Sequence, residues 1–204
     1  LVLAVPAIIT VSVNNINTLV NRALASGLPT GSMSRLDYAN KLNLIIIGVF
    51  ITAVTSVIFP QLAKAFDEGD MEKGKRIMNG SIRGVLLITI PSFIGMLVLA
   101  RPIVEIAFMR GAFTQADAIA TARVLQFYTL ALVSLSVNNV QNRVFYSLED
   151  TKTPFFLGIL NVVINVGLNL MLINVMGVNG LALSVSIATT TVAIVSFQLI
   201  RKKI

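Results

Sequence analysis

The sequence predicts an all-α polytopic membrane protein, a bundle of six transmembrane helices. Two observations predict the bundle. From 153 to 200 no residue carries a charge, and only Gly177-Val178-Asn179-Gly180 interrupts that run. At 1.5 Å per residue, a crossing of a ~30 Å hydrocarbon core needs about 20 residues, so the stretch holds two crossings. The second observation is composition. Hydrophobic residues make up 55% of 204 and charged residues 12%, about half the charge of a soluble domain.

Charge-poor apolar windows place six spans at about 2–24, 41–63, 83–104, 123–147, 154–176 and 179–200 in a single domain covering 1–204. The first is uncharged from Leu1 to Asn21 and lacks a basic leader and a small-residue cleavage site. It therefore reads as a span of a longer protein and not as a signal peptide. Ser34-Arg35-Leu36-Asp37 reads as a capping box before the second span, and Thr114-Gln115-Ala116-Asp117 as another before the fourth. Pro91 should kink the third span. Thr153-Pro154 offers an N-cap followed by a first-turn proline for the fifth.

Six spans put both termini and two loops on one face. Lys64, Lys73, Lys75, Arg76, Arg83, Arg143, Lys152, Arg201, Lys202 and Lys203 fall there, against Arg22, Arg35, Lys41, Arg101, Arg110 and Arg123 opposite. The positive-inside bias makes the richer face cytoplasmic. The net charge of +7 is thus a topological signal. It forms no basic stripe with interleaved aromatics, so no nucleic-acid partner is expected.

The chain has no cysteine and no histidine. That removes disulfides, thiolate metal sites and the commonest general base. No nucleophile–base set, phosphate loop or paired intramembrane carboxylate remains, so the chain is not expected to be an enzyme.

Polar residues instead form stripes. Thr10, Asn14, Asn17 and Asn21 share one face of the first span; Ser134, Asn138 and Asn142 stripe the fourth, and Asn161, Asn165 and Asn169 the fifth. Amides in a bundle are either interhelical glue or the lining of a shared polar cavity. Three stripes favour the cavity, because so many amides find few partners in a dry interior. Lys41 is either a lysine reaching for the interface or a cation at the cavity mouth that neutralises an anionic headgroup. Arg22, near the same face, would assist it. Arg101 and Glu105 read as a structural i, i+4 pair.

Four local patterns bear a resemblance. They are Tyr38-Ala39-Asn40-Lys41-Leu42 with Gly48-Val49-Phe50 and Phe59-Pro60 downstream, Arg110-Gly111-Ala112-Phe113-Thr114, the run from Phe145 through Asp150-Thr151-Lys152-Thr153-Pro154, and Gly180-Leu181-Ala182-Leu183-Ser184. In this order they resemble the MurJ (MviN) family of lipid II flippases, within the multidrug/oligosaccharidyl-lipid/polysaccharide exporter superfamily. The family has about fourteen helices in two six-helix lobes, and this chain looks like helices seven to twelve.

The resemblance implies export of an undecaprenyl-diphosphate-linked peptidoglycan precursor across the bacterial cytoplasmic membrane, by rocking of the two lobes. Its implied partners are that precursor, membrane lipids and an N-terminal lobe outside this sequence. It puts Lys41 where the family carries a basic residue, often Arg, beside the diphosphate; Arg22, Asn14 and Asn17, on the polar face read above, would complete the substrate site. A lysine there keeps the charge and loses the bidentate fork. The resemblance implies no cofactor beyond a sodium ion that some relatives hold. Asn21, Asn161 and Asn165 would fall at that site, with amides where relatives use carboxylates. Two readings compete with the flippase: a drug or polysaccharide exporter of the same superfamily, and a membrane scaffold whose stripes only join helices.

Overall fold

The computed structural model describes residues 17–204, which are helical with no strand among them. Asn14 and most of the first expected span lie outside the described residues. Helix α1 is described over 17–26. It is followed by α2 (Ser32–Ile46), a π-helical turn (Ile47–Ile51), α3 (Thr52–Asp67), α4 (Met71–Val98), α5 (Ala100–Phe108), α6 (Gln115–Thr129), α7 (Leu132–Ser147), α8 (Lys152–Met176) and α9 (Val178–Lys203). Ser32–Asp67, α4, α8 and α9 are each long and apolar enough to cross a membrane, and the bent α6–α7 pair taken together makes a fifth.

Local chemistry explains several ends. Thr114 caps α6 in a full capping box, its hydroxyl receiving the Asp117 N–H while the Asp117 carboxylate receives that of Thr114. The box expected at Ser34 does not form: α2 starts earlier, at Ser32 behind Gly31, with no side-chain cap. Asp37 turns to Arg22 instead. At α8 the capping group is Asp150 and not Thr153, whose own N–H bonds Asp150 Oδ1 at 3.0 Å.

Helix α4 runs through Pro91 and ends at Val98, so the window at 83–104 is divided between α4 and α5. The window at 123–147 falls on α6 and α7, which meet at 42°. Side chains from two other helices bond carbonyls at that break, where Tyr128 O also receives the Ala131 N–H at 2.9 Å. Asn43 Nδ2 donates to Tyr128 O at 3.4 Å, and Ser186 Oγ to Phe127 O at 2.5 Å. Leaving such carbonyls unpaired in hydrocarbon would cost several kcal/mol each, on the order of a lost buried hydrogen bond.

Helix α9 is the centre of the bundle. Its buried face is built of small residues, including Gly180, Ala182, Ser184, Ala188, Thr189 and Ser196. Where lipid is as apolar as leucine, close backbone approach replaces the hydrophobic effect as the source of helix association. Gly177, at φ 58°, joins α8 to α9 with a single residue. A Cβ on Gly180 would stand 2.7 Å from the Leu172 carbonyl oxygen, which shows how tightly the pair closes. Helix α8 buries only Pro154, Leu157, Asn165 and Asn169. Two main apolar clusters fill the bundle, one around Leu36, Val104 and Leu125 and the other around Leu62, Phe145 and Ile200.

Candidate functional site

A polar cavity of about 270 Å³ opens among α1, α7, α8 and α9. Asn17, Asn138, Asn142 and Asn161 line it, joined by Asn139 and Thr189. Members of all three sequence stripes therefore meet in one space. Their amides keep only some of their bonds within the protein. Asn17 Nδ2 donates to Asn161 Oδ1 at 3.2 Å, and Asn138 Nδ2 to Thr189 O at 3.2 Å. Asn17 Oδ1 is buried without a partner. The site offers mixed donors and acceptors without net charge, the chemistry that suits a neutral polar solute such as a sugar hydroxyl or amide.

The other amides behave as glue. Asn21, Asn165 and Asn169 are all buried, and Asn169 Nδ2 donates to Asn21 Oδ1 at 2.6 Å and to Asn165 Oδ1 at 3.1 Å. Those two carbonyls are the ones a cation would use, and an amide N–H already occupies both. Asn161 is committed elsewhere, to Asn17. The three residues expected at a sodium site therefore do not meet at one point, and among the described residues no carboxylate bonds them, while Asn169 Oδ1 beside them is buried without a partner. Among the described residues there is no cluster of His, Cys, Asp or Glu suited to a metal.

Lys41 is exposed on α2, its ammonium 5.6 Å from the centre of the Tyr38 ring. That contact spans one helical turn and supplies a weak cation–π attraction. No carboxylate lies within 4 Å of Lys41 among the described residues. Arg22 sits on the same side but is engaged: Nε and a terminal nitrogen bond the two Asp37 oxygens at 3.2 and 3.3 Å. Asp37 precedes Lys41 by one turn, so it neutralises Arg22 and leaves Lys41 as the uncompensated cation. Sequence reading missed both Tyr38 and Asp37 as partners, although their i−3 and i−4 spacing from Lys41 was visible. It also passed over Asn139 and Thr189, which follow no four-residue stripe.

The remaining patterns take structural positions. Arg110 to Thr114 forms the bend between α5 and α6, with Gly111 at φ 62°. Phe113 and Phe108 pack with Tyr38, at 5.7 and 4.5 Å between ring centres. Arg35 crosses from α2 to bind Asp117 at 3.0 Å. These groups border a cleft of about 470 Å³ near the start of α2. At the other end, Asp150 receives the Lys203 ammonium as well as Thr153. Burial opposes ionisation of Asp150, but the hydrogen bonds from Lys203 and Thr153 outweigh it and hold its carboxyl below the usual carboxylate range.

A family model described as "Lipid II flippase MurJ" matches residues 1–204. A probable lipid II flippase MurJ of Vibrio cholerae is 36% identical over 186 residues, 91% of this chain and 35% of the relative. One from Haemophilus influenzae is also 36% identical, over 92% of this chain and 38% of the relative. The chain thus spans little more than a third of the length of these relatives. Among solved structures, the lipid II flippase MurJ in an inward closed conformation superposes with a TM-score of 0.86 at 30% identity. It covers 94% of this chain and 41% of that one. An inward-facing multidrug resistance MATE family transporter gives 0.88 at 16% identity, over 98% and 46%, which speaks to the fold alone. This chain belongs to the MurJ family of lipid II flippases.

Proposed function

We propose that this chain is the second six-helix lobe of a transporter that moves a lipid-linked peptidoglycan precursor across the cytoplasmic membrane by alternating access. Lys41 meets the diphosphate in this reading. The observation that carries it is the exposed Lys41 ammonium, held by Tyr38 and left uncompensated because Asp37 is taken by Arg22. Lys41 borders neither the asparagine cavity nor the cleft at the start of α2, so the partly dehydrated space in which attraction to a diphosphate exceeds that in bulk water is one the other lobe would complete. Asn17 and its cavity neighbours would take the neutral glycan part, and Arg22 would join Lys41 only by releasing Asp37. The ten-to-six division of basic residues supports cytoplasmic placement of both ends of the lobe. No step is assigned to a coupling ion, given the engagement of Asn21 and Asn165 by Asn169.

The test uses the full-length protein in cells that depend on it. Lys41→Arg should sustain growth and precursor export. Lys41→Gln should lower export at least tenfold while membrane levels of folded protein stay constant. Normal export by well-expressed Lys41→Gln would remove Lys41 from the substrate site.

A further inference from the structure

We propose that the gap between α4 and α9 is a binding site for one anionic glycerophospholipid, its acyl chain against α7 and its phosphate at Arg201 and Lys75. Helix α7 packs against both α4 and α9, whereas those two helices scarcely meet. The gap between them contains two adjoining cavities of about 410 and 310 Å³, both bordered by Phe197 and Arg201. The larger is apolar, with Val133 and Val137 of α7 as its floor and Ile194 and Phe197 of α9 along one wall. From Thr190 to Arg201 it follows α9 for roughly 16 Å, close to one leaflet's half of a ~30 Å core.

Polarity changes sharply at its end. Lys75, Asn79 and Arg201 border the smaller cavity. Lys75 is paired with Glu72 at 2.8 Å, while Arg201 has no carboxylate within 4 Å among the described residues. Two cations and one anion leave a net positive seat, and Asn79 adds amide donors. An apolar slot of one-leaflet depth, closed by a net cation at headgroup level, complements a single acyl chain joined to a phosphodiester. Basic recesses between membrane helices select anionic headgroups in this way, each cation contributing about 1 kcal/mol, or about fivefold in affinity.

The experiment is photolabelling of the purified full-length protein with a phosphatidylglycerol carrying a diazirine on its acyl chain, followed by mapping of the adducts. Labels should fall on the segments holding Val133, Val137, Ile194 and Phe197. Unlabelled phosphatidylglycerol should compete, and phosphatidylcholine should compete far less. Arg201→Gln and Lys75→Gln should each weaken labelling about fivefold, and Arg201→Lys should restore most of it. Equal competition by phosphatidylcholine, or labelling insensitive to Arg201→Gln, would overturn the anionic site. Stronger competition by a polyprenyl phosphate would overturn its assignment to a glycerophospholipid. Absence of label from the groove, with cross-links from Phe197 to chain beyond Ile204, would show that the protein fills it itself.

Discussion

Substituting Gly180 by alanine tests the claim that α8 and α9 are held by backbone contact. The added methyl would stand 2.7 Å from Leu172 O, 2.9 Å from Leu172 C and 3.0 Å from Leu172 Cβ. Two of these atoms belong to the backbone of a regular helix, so no side-chain rotation relieves the overlap. The helices must separate by several tenths of an ångström, and the loss spreads along the whole α8–α9 seam through weakened dispersion contacts. Overpacking of this kind costs about 1–3 kcal/mol. Alanine's helix advantage over glycine, at most about 1 kcal/mol, offsets little in the first turn of a helix. The net expectation is a loss of about 1–2 kcal/mol. It would be read as a lower midpoint in thermal or denaturing-detergent titration of the full-length protein. Gly167→Ala on α8 is the control, since a Cβ there meets nothing within 4 Å. Stability for Gly180→Ala equal to that for Gly167→Ala would refute the close-approach argument.

Asp150→Asn removes the group that caps α8 and receives Lys203, and should cost about 1 kcal/mol in the same titration. Because the folded carboxyl is held below its unfolded value, its contribution is full above the ordinary carboxylate pKa and disappears as pH falls through the folded one. The wild type and Asp150→Asn should therefore converge in stability on acidification, and a gap that persists would count against this role. A double-mutant cycle between Asn21 and Asn169, with alanine at each, should give a coupling of roughly 0.6–1.7 kcal/mol. Zero coupling would remove their hydrogen bond from the ledger of the fold. A cysteine at Met71, the first residue of α4 beside its connection to α3, should resist an impermeant thiol reagent in intact cells and react once they are opened. Labelling from outside would invert the proposed orientation.

Much of the bundle is legible in sequence because membrane helices must satisfy their own backbones. The α8–α9 hairpin announces itself through an uncharged run broken at Gly177, and the α6 cap through a threonine and an aspartate three apart. The break between α6 and α7 gives no such notice. Neither glycine nor proline lies in Phe127-Tyr128-Thr129-Leu130-Ala131-Leu132, and the side chains that bond its carbonyls, Asn43 and Ser186, belong to remote helices. Pro91, a proline within a helix, lies inside the continuous α4. The asparagines divided for a similar reason. Their spacing fixes a helical face, yet which amides meet each other and which meet open space depends on how neighbouring helices are rotated. Lys41 could be singled out as an unusual charge, but its freedom from a carboxylate required knowing where Arg22 folds back.

The π turn at Ile47–Ile51 has a consequence for how the α2–α3 run can change. A π turn amounts to one residue inserted into an α-helix, with Thr52 bonding back five positions to Ile47. The helical phase therefore slips there by about 100°, so Lys41 and Pro60 are set on their respective faces independently of one another. Deleting Gly48, which touches nothing through its Cβ position, should convert the turn to regular α-helix and leave both faces aligned with their present neighbours. A deletion outside Ile47–Ile51 would rotate one half against the bundle. The run thus carries one turn within which its length can vary by a residue.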